Sequence, residues 1–150
     1  MANVKQETWT LNSADTTAIP SANRADGTAN AWSDIWKYQV PVGQAHVLKP
    51  SQRFAAYLED ASAQVGNGTC RIRIQVRDQS EQDYQTIYGP ALYVASKEFQ
   101  DADLMAKLDL MKDKVIEERF FIVVSVLDDG AIDESDSYFK LETIRIRGTI

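Results

Sequence analysis

Along most of the chain, apolar and polar positions alternate with the two-residue period of a half-buried strand. Ile35-Trp36-Lys37-Tyr38-Gln39-Val40 places Trp36, Tyr38 and Val40 on one face. Pro41-Val42-Gly43 reads as a turn, and Ala45 to Lys49 follows as another strand. Beyond Pro50-Ser51, Phe54, Ala56 and Leu58 alternate against Arg53, Ala55 and Tyr57. Gly66-Asn67-Gly68 is the strongest hairpin signal, because Asn-Gly supplies positive φ at low cost. It leads into Cys70 to Val76, the cleanest alternation in the chain. Thr86 to Tyr88 and Leu92 to Val94 are shorter candidates broken by Gly89-Pro90. In Glu118 to Leu127, Phe120, Ile122, Val124 and Val126 share one face. Phe121, Val123 and Ser125 share the other, which predicts a central strand covered on both sides. Tyr138 to Ile146 is the last strand. Its inward parity slips from Phe139 and Leu141 to Ile144 and Ile146, and one bulge near Thr143 reconciles the two. Phe99 to Met111 reads two ways. Leu104, Lys107, Leu108 and Met111 fit a helical period, whereas Lys107 to Leu110 also alternates as a strand.

About eight strands at roughly ten-residue spacing, with at most one short helix and no βαβ rhythm, predict an all-β fold. The expected form is an antiparallel β-sandwich or jelly roll. Residues 33–150 form this sandwich, and residues 1–32 read as an extended N-terminal arm. A short strand is expected around Val4 to Leu11, followed by a small, polar, weakly patterned stretch from Asn12 to Asn30. Such a stretch is either a loose tail or an arm that orders on a neighbouring subunit. Trp9 and Trp32 bracket it, and large aromatics are rarely left on a solvated tail. The arm reading makes Val4, Trp9, Leu11, Ile19, Pro20, Arg24 and Trp32 the candidate partner-binding residues.

Composition narrows the class. A chain of 150 residues, 44% hydrophobic and 25% charged, is one globular domain that needs no disulfide or metal staple. A net charge of −6 counts against nucleic acid as a partner. Apolar runs such as Phe120 to Val124 are too short to span a bilayer, so no membrane partner is expected. The start, Met1 to Glu7, lacks a basic segment followed by an apolar one, so no secretory signal is expected. The one cysteine, Cys70, reads as a buried strand residue. Arg71, Arg73 and Arg77, and again Arg145 and Arg147, read as the charged outer faces of two strands, or as a basic patch for an acidic protein partner.

Candidate chemistry is sparse. His46 is the one histidine, and it reads as structural or surface rather than catalytic. One His and one Cys cannot make a zinc site, and the further histidines of a cupin metal centre are missing. No phosphate loop or dinucleotide fingerprint occurs. An acid–base pair stays open, because carboxylates are plentiful. Asp101 and Asp103 sit together. Asp128, Asp129, Asp133, Glu134 and Asp136 surround Gly130 as a solvated acidic loop or a Ca²⁺ site without EF-hand spacing. The reading is a non-enzyme with no catalytic residue, no cofactor and no metal.

The polar arm, the Tyr38-Gln39-Val40-Pro41-Val42-Gly43 entry into the sandwich, Ile87-Tyr88-Gly89-Pro90 and the strand ending at Ile150 carry a resemblance. In plan the chain resembles small capsid decoration (cement) proteins of tailed bacteriophages, and more loosely other phage structural jelly rolls. The resemblance spans most of the chain and transfers no catalytic residue. It implies a non-enzymatic virion structural protein on the capsid exterior, assembled in the host cytoplasm, that stabilises the shell by binding the major capsid protein. It also implies a homotrimer seated on lattice junctions, with the arm on neighbouring subunits. The alternative is a carbohydrate- or receptor-binding β-sandwich, for which Trp9, Trp32, Trp36, Tyr84, Tyr88 and Tyr93 are the candidate aromatics.

Overall fold

A computed structural model describes residues 3–18, 33–60, 69–82, 84–94, 98–99, 106–107, 110–128 and 132–149. They form two antiparallel sheets. The first contains β1 (Asn3–Asn12), β4 (Gln44–Leu48), β5 (Arg53–Asp60), β8 (Glu98–Phe99), β9 (Ala106–Lys107), β10 (Lys114–Ile116) and β12 (Ile132–Thr149). The second runs in the order β2 (Thr17–Ala18), β3 (Ser33–Gln39), β11 (Phe121–Asp128), β6 (Thr69–Arg77), β7 (Tyr84–Val94). A single 3₁₀ turn, Ser13–Asp15, is the one helical element among the described residues. The all-β sandwich expected from the alternation is therefore present. No helix includes Ala106–Lys107, which pairs with β5 as a strand. The turns read at Gly66-Asn67-Gly68 and Gly130 lie outside the described residues, as does the side chain of Cys70.

β12 organises the first sheet. An unbroken ladder joins it to β1, from Asn3 opposite Thr149 to Asn12 opposite Lys140. Ile144–Arg147 also pair with β4, and residues 132–141 with β5. The chain then leaves this sheet after Asn12, turns at Ser13–Asp15, and joins the second sheet as β2 beside β3. Residues 3–18 are thus built into both sheets. The arm expected over 1–32 continues beyond them into 19–32, which lies outside the described residues.

The core follows the alternation. Ile72, Ile74 and Val76 from β6, Ile122 and Val124 from β11, and Trp36 and Tyr38 from β3 face Phe54, Phe139, Leu141, Leu11 and Leu48 from the first sheet. At its centre Trp36 stacks on Phe139, centroids 6.0 Å apart, and Phe54 packs edge-on against Tyr88 at 4.4 Å. Ile35 is buried although Trp36 beside it is buried too. Where Trp36 pairs with Val124 and Asp34 with Ser125, β3 carries one extra residue, so a bulge lets two successive side chains turn inward.

One expectation is corrected. No bulge lies near Thr143, since both ladders through Ile144–Arg147 run without interruption. The irregularity of β12 falls between Asp133 and Tyr138 instead. Thr143 itself takes the inward position, fully buried, and Ile144 and Ile146 stay half-buried on the other face. A threonine is tolerated there because its hydroxyl is satisfied by His46 at 3.0 Å.

The Pro41-Val42-Gly43 turn forms as read. The Gln44 N–H donates to the Pro41 carbonyl at 3.1 Å, and Gly43 adopts φ +85°, the region that favours glycine.

Candidate interaction surfaces

Three features of the sandwich present chemistry to a partner. The first is the end of the first sheet where β1, β4 and β12 run together. Here the inward positions change from apolar to polar. Leu141 and Thr143 are followed by Arg145 and Arg147, and Leu11 and Trp9 by Glu7 and Lys5. His46 lies between β12 and the second sheet, fully buried. Its Nδ1 is 3.0 Å from Thr143 Oγ1, and its Nε2 is 3.4 Å from Tyr38 Oη. Trp9 and Tyr38 close around it, with ring centroids at 5.4 and 5.5 Å. Burial, assisted by the Arg145 guanidinium, pushes the His46 pKa down to about 4. A neutral ring that donates from one nitrogen and accepts at the other satisfies both hydroxyls.

Outside this aromatic group Arg145 lies 4.5 Å from the Trp9 ring centroid. It donates to Glu7 Oε1 through Nε at 3.0 Å and Nη2 at 2.8 Å. Arg147 Nη2 reaches the same oxygen at 3.0 Å. The hydrogen bonds from Arg145 hold the Glu7 carboxyl below the usual range, and outweigh the opposing effect of burial. Arg145 and Arg147 therefore share the parity of Leu141 and Thr143. They do not form the outer face expected from the sequence.

The second feature covers the outside of the second sheet. Val123, Gln75 and Ser125 point away from the core, yet they are buried. A polar layer lies over them. Arg77 donates to Asp34 through both terminal nitrogens, at 2.8 and 2.9 Å, to Glu81 at 3.0 Å, and through Nε to Gln75 at 3.1 Å. Ser125 donates to Asp34 at 2.8 Å, and Lys37 to Glu81 at 2.9 Å. Glu81 adopts φ 58°, a strained value for a residue with a side chain, and is held there by its two cations. The two-sided burial read from Phe121, Val123 and Ser125 is thus achieved with ion pairs. Burial alone would raise the Asp34 carboxyl, but the hydrogen bonds from Arg77 and Ser125 outweigh it and hold it low. Asp34→Ala would leave Arg77, whose side chain is only 13% exposed, without its bidentate partner. The expected cost is about 2 kcal/mol in urea unfolding, since hydrogen bonds to buried charges are the strong ones. An unchanged midpoint would show that water replaces the carboxylate.

The third feature is a cleft of about 370 Å³ lined by Val76, Asp78, Tyr84, Gln85, Lys114 and Phe120. A neighbouring hollow of about 390 Å³ shares Gln85 and Lys114 and adds Met111 and Val115. Tyr84, Met111 and Val115 are three of the chain's exposed large apolar side chains. Among the aromatics considered for glycan binding, Trp36 is buried, and Trp9 and Tyr88 pack against the core. Tyr84 is exposed. The side chains of Trp32 and Tyr93 are not described.

The sequence candidates for partner binding separate. Val4 is 71% exposed, Trp9 is half-buried over His46, and Leu11 is fully buried in its own core. Ile19, Pro20, Arg24 and Trp32 lie outside the described residues. The role of Glu7, Tyr38 and Thr143 at the His46 end went unread in the sequence, because only the register across β1, β4 and β12 brings them together. Among the described residues no group of three or more His, Cys, Asp or Glu is placed to hold a metal, and no helix is long and apolar enough to cross a membrane.

These elements define the class as an antiparallel jelly-roll sandwich whose strands run the length of the chain. Solved structures with a similar fold include two from a bacteriophage capsid. VP17, a capsid protein of bacteriophage P23-77, superposes with a TM-score of 0.61 over 100% of this chain and 100% of its own, at 7% identity. The VP16–VP17 complex, a complex of the two major capsid proteins of the same phage, gives a TM-score of 0.57 at 8% identity, covering 94% of this chain and 98% of the matched one. At such identities the likeness is one of fold. No protein-family model and no curated protein sequence matches the chain.

Proposed function

We propose that the chain is a non-enzymatic structural protein of a virus particle, which docks as an oligomer on the major capsid protein. One observation carries this reading. The fold is similar to that of a capsid protein over the full length of both chains. A jelly roll of this shape also occurs in a complex of two capsid proteins. The proposal extends to a homotrimer on the capsid exterior that stabilises the shell, assembled in the host cytoplasm and engaging neither nucleic acid nor membrane. Contacts would come from Val4 on β1 and from residues 19–32, including Ile19, Pro20, Arg24 and Trp32. Trp9 and Leu11 would act by anchoring β1.

A second reading has its own support, because both proteins of the matched complex are major capsid proteins. Copy number separates the two. Particles are banded on a density gradient and the chain is quantified against the principal shell protein. Recovery in the band supports a virion role, and its absence from the band overturns that role. A chain that can be stripped while shells stay intact is decoration. One whose loss dissolves the shell is a lattice subunit.

A further inference from the structure

Gln85 and Lys114 line both hollows on the flank of the sandwich. β7 ends the second sheet and β10 ends the first, so the cleft lies where the outer strands of the two sheets come together. In the ladders Gln85 stands opposite Val76, and Lys114 opposite Leu48. Residues opposite each other in an antiparallel pair share a face, and Val76 and Leu48 are core residues. Gln85 and Lys114 therefore belong to the inner faces, one from each sheet, beside an apolar lining of Val76 and Phe120. A mostly apolar recess with a few convergent polar groups is the usual form of a ligand site.

Charge narrows the ligand. Lys114 is half-buried, and neither it nor exposed Lys112 forms an ion pair among the described residues. The carboxylates nearby are committed elsewhere. Asp113 pairs with Lys49 at 2.9 Å. Asp78 Oδ1 accepts from the Ser80 and Gln82 N–H groups at 3.1 and 2.9 Å, and from the Ser80 hydroxyl at 3.0 Å. Two lysines are thus left without a counter-charge on a chain whose net charge is −6. Apolar surface lies beside them. Tyr84, 65% exposed, lines the first hollow, and Met111 and Val115, both exposed, line the second.

A fitting ligand carries an anionic group for Lys114, hydroxyls for the Gln85 amide and a flat C–H face for Tyr84. A carboxylate-bearing sugar has all three. The adjoining hollows, about 370 and about 390 Å³, are each of ligand-site size and take successive units of a chain. We infer that this flank binds an acidic saccharide, with a carboxylate on Lys114, hydroxyls on Gln85 and a ring face against Tyr84. The inference goes beyond the structural role above and stands without it.

Amide chemical-shift mapping and calorimetric titration of the free protein test it with three probes. Trigalacturonate is expected to bind at millimolar concentration and to shift the amides of Tyr84, Gln85, Lys112 and Lys114. Maltotriose, which lacks the carboxylates, and triglutamate, which lacks the rings, are each expected to bind about tenfold more weakly. Lys114→Gln and Tyr84→Ala are each expected to weaken trigalacturonate about tenfold, and both variants should melt within about 2 °C of wild type because the positions are not core. Lys5→Gln, outside the cleft, is expected to change nothing. Absence of shifts with trigalacturonate, or binding that survives both variants, overturns the inference. So does triglutamate binding as tightly at the same residues, which would make the cleft a seat for an acidic peptide.

Discussion

Replacing Phe139 with alanine is expected to cost about 4 kcal/mol of stability, within the range measured for truncating buried aromatics. Phe139 is 1% exposed and sits where the two sheets meet. Trp36 from β3 stacks on it at 6.0 Å, and Phe54 from β5 packs against it at 6.3 Å. Removing the ring leaves a void between two side chains anchored on different sheets. Neither sheet can close that gap without shifting an entire ladder, so little of the cavity collapses. The loss corresponds to a fall of roughly 10 °C in melting temperature for a chain of this size. Urea unfolding of Phe139→Ala beside Phe139→Leu measures it. The leucine variant keeps most of the volume and is expected to lose about 1.5 kcal/mol. Equal, small losses in both variants would mean that the sheets are held together elsewhere.

Phe139 also shows what the sequence could reveal. Its alternation with Leu141 gives a strand and an inward face, and the same holds for Ile72, Ile74 and Val76. Periodicity is local, and it identified the sandwich because most of the strand patterns agreed. It failed where a polar residue takes an inward position. Thr143 broke the pattern and invited a bulge, because the hydroxyl's partner, His46, is 97 residues away in sequence. Arg145 and Arg147 followed the same error, for with no bulge they continue the inward parity to the basic end. Ile35 reversed the fault. Its burial depends on a bulge against Ser125 that no local pattern marks. The candidate partner-binding residues are harder still to read, since exposure of Val4 and burial of Leu11 are decided by where β12 lies.

Lowering the pH from 7 to 4 is expected to remove about 3 kcal/mol of stability through His46 alone, given about 1.4 kcal/mol per pKa unit. The folded pKa is about 4 against an ordinary 6.5. Between those values the unfolded chain binds a proton that the folded chain refuses. Stability from this group is therefore complete above pH 6.5, falls as the pH drops towards 4, and levels off below. The ring is fully buried, so solvent does not screen the effect. A proton would have to enter a ring enclosed by Trp9 and Tyr38 and lying close enough to Arg145 to feel its charge, while the carboxylate of Glu7 is already engaged by two arginines. The depressed carboxyls of Glu7, Asp34 and Glu81 act in the same direction but at lower pH, where they regain protons that the folded state resists. The interval from pH 6.5 to 5 thus isolates the histidine. Unfolding free energies of wild type and His46→Gln across that interval provide the test. The glutamine variant starts less stable and is expected to run nearly flat, while wild type declines towards it. Parallel curves would mean that the imidazole is reached by water and titrates normally. In that case the Trp9, Tyr38 and Thr143 enclosure would not hold this end of the sandwich dry, and β1 would be less firmly seated on β12 than its ladder implies.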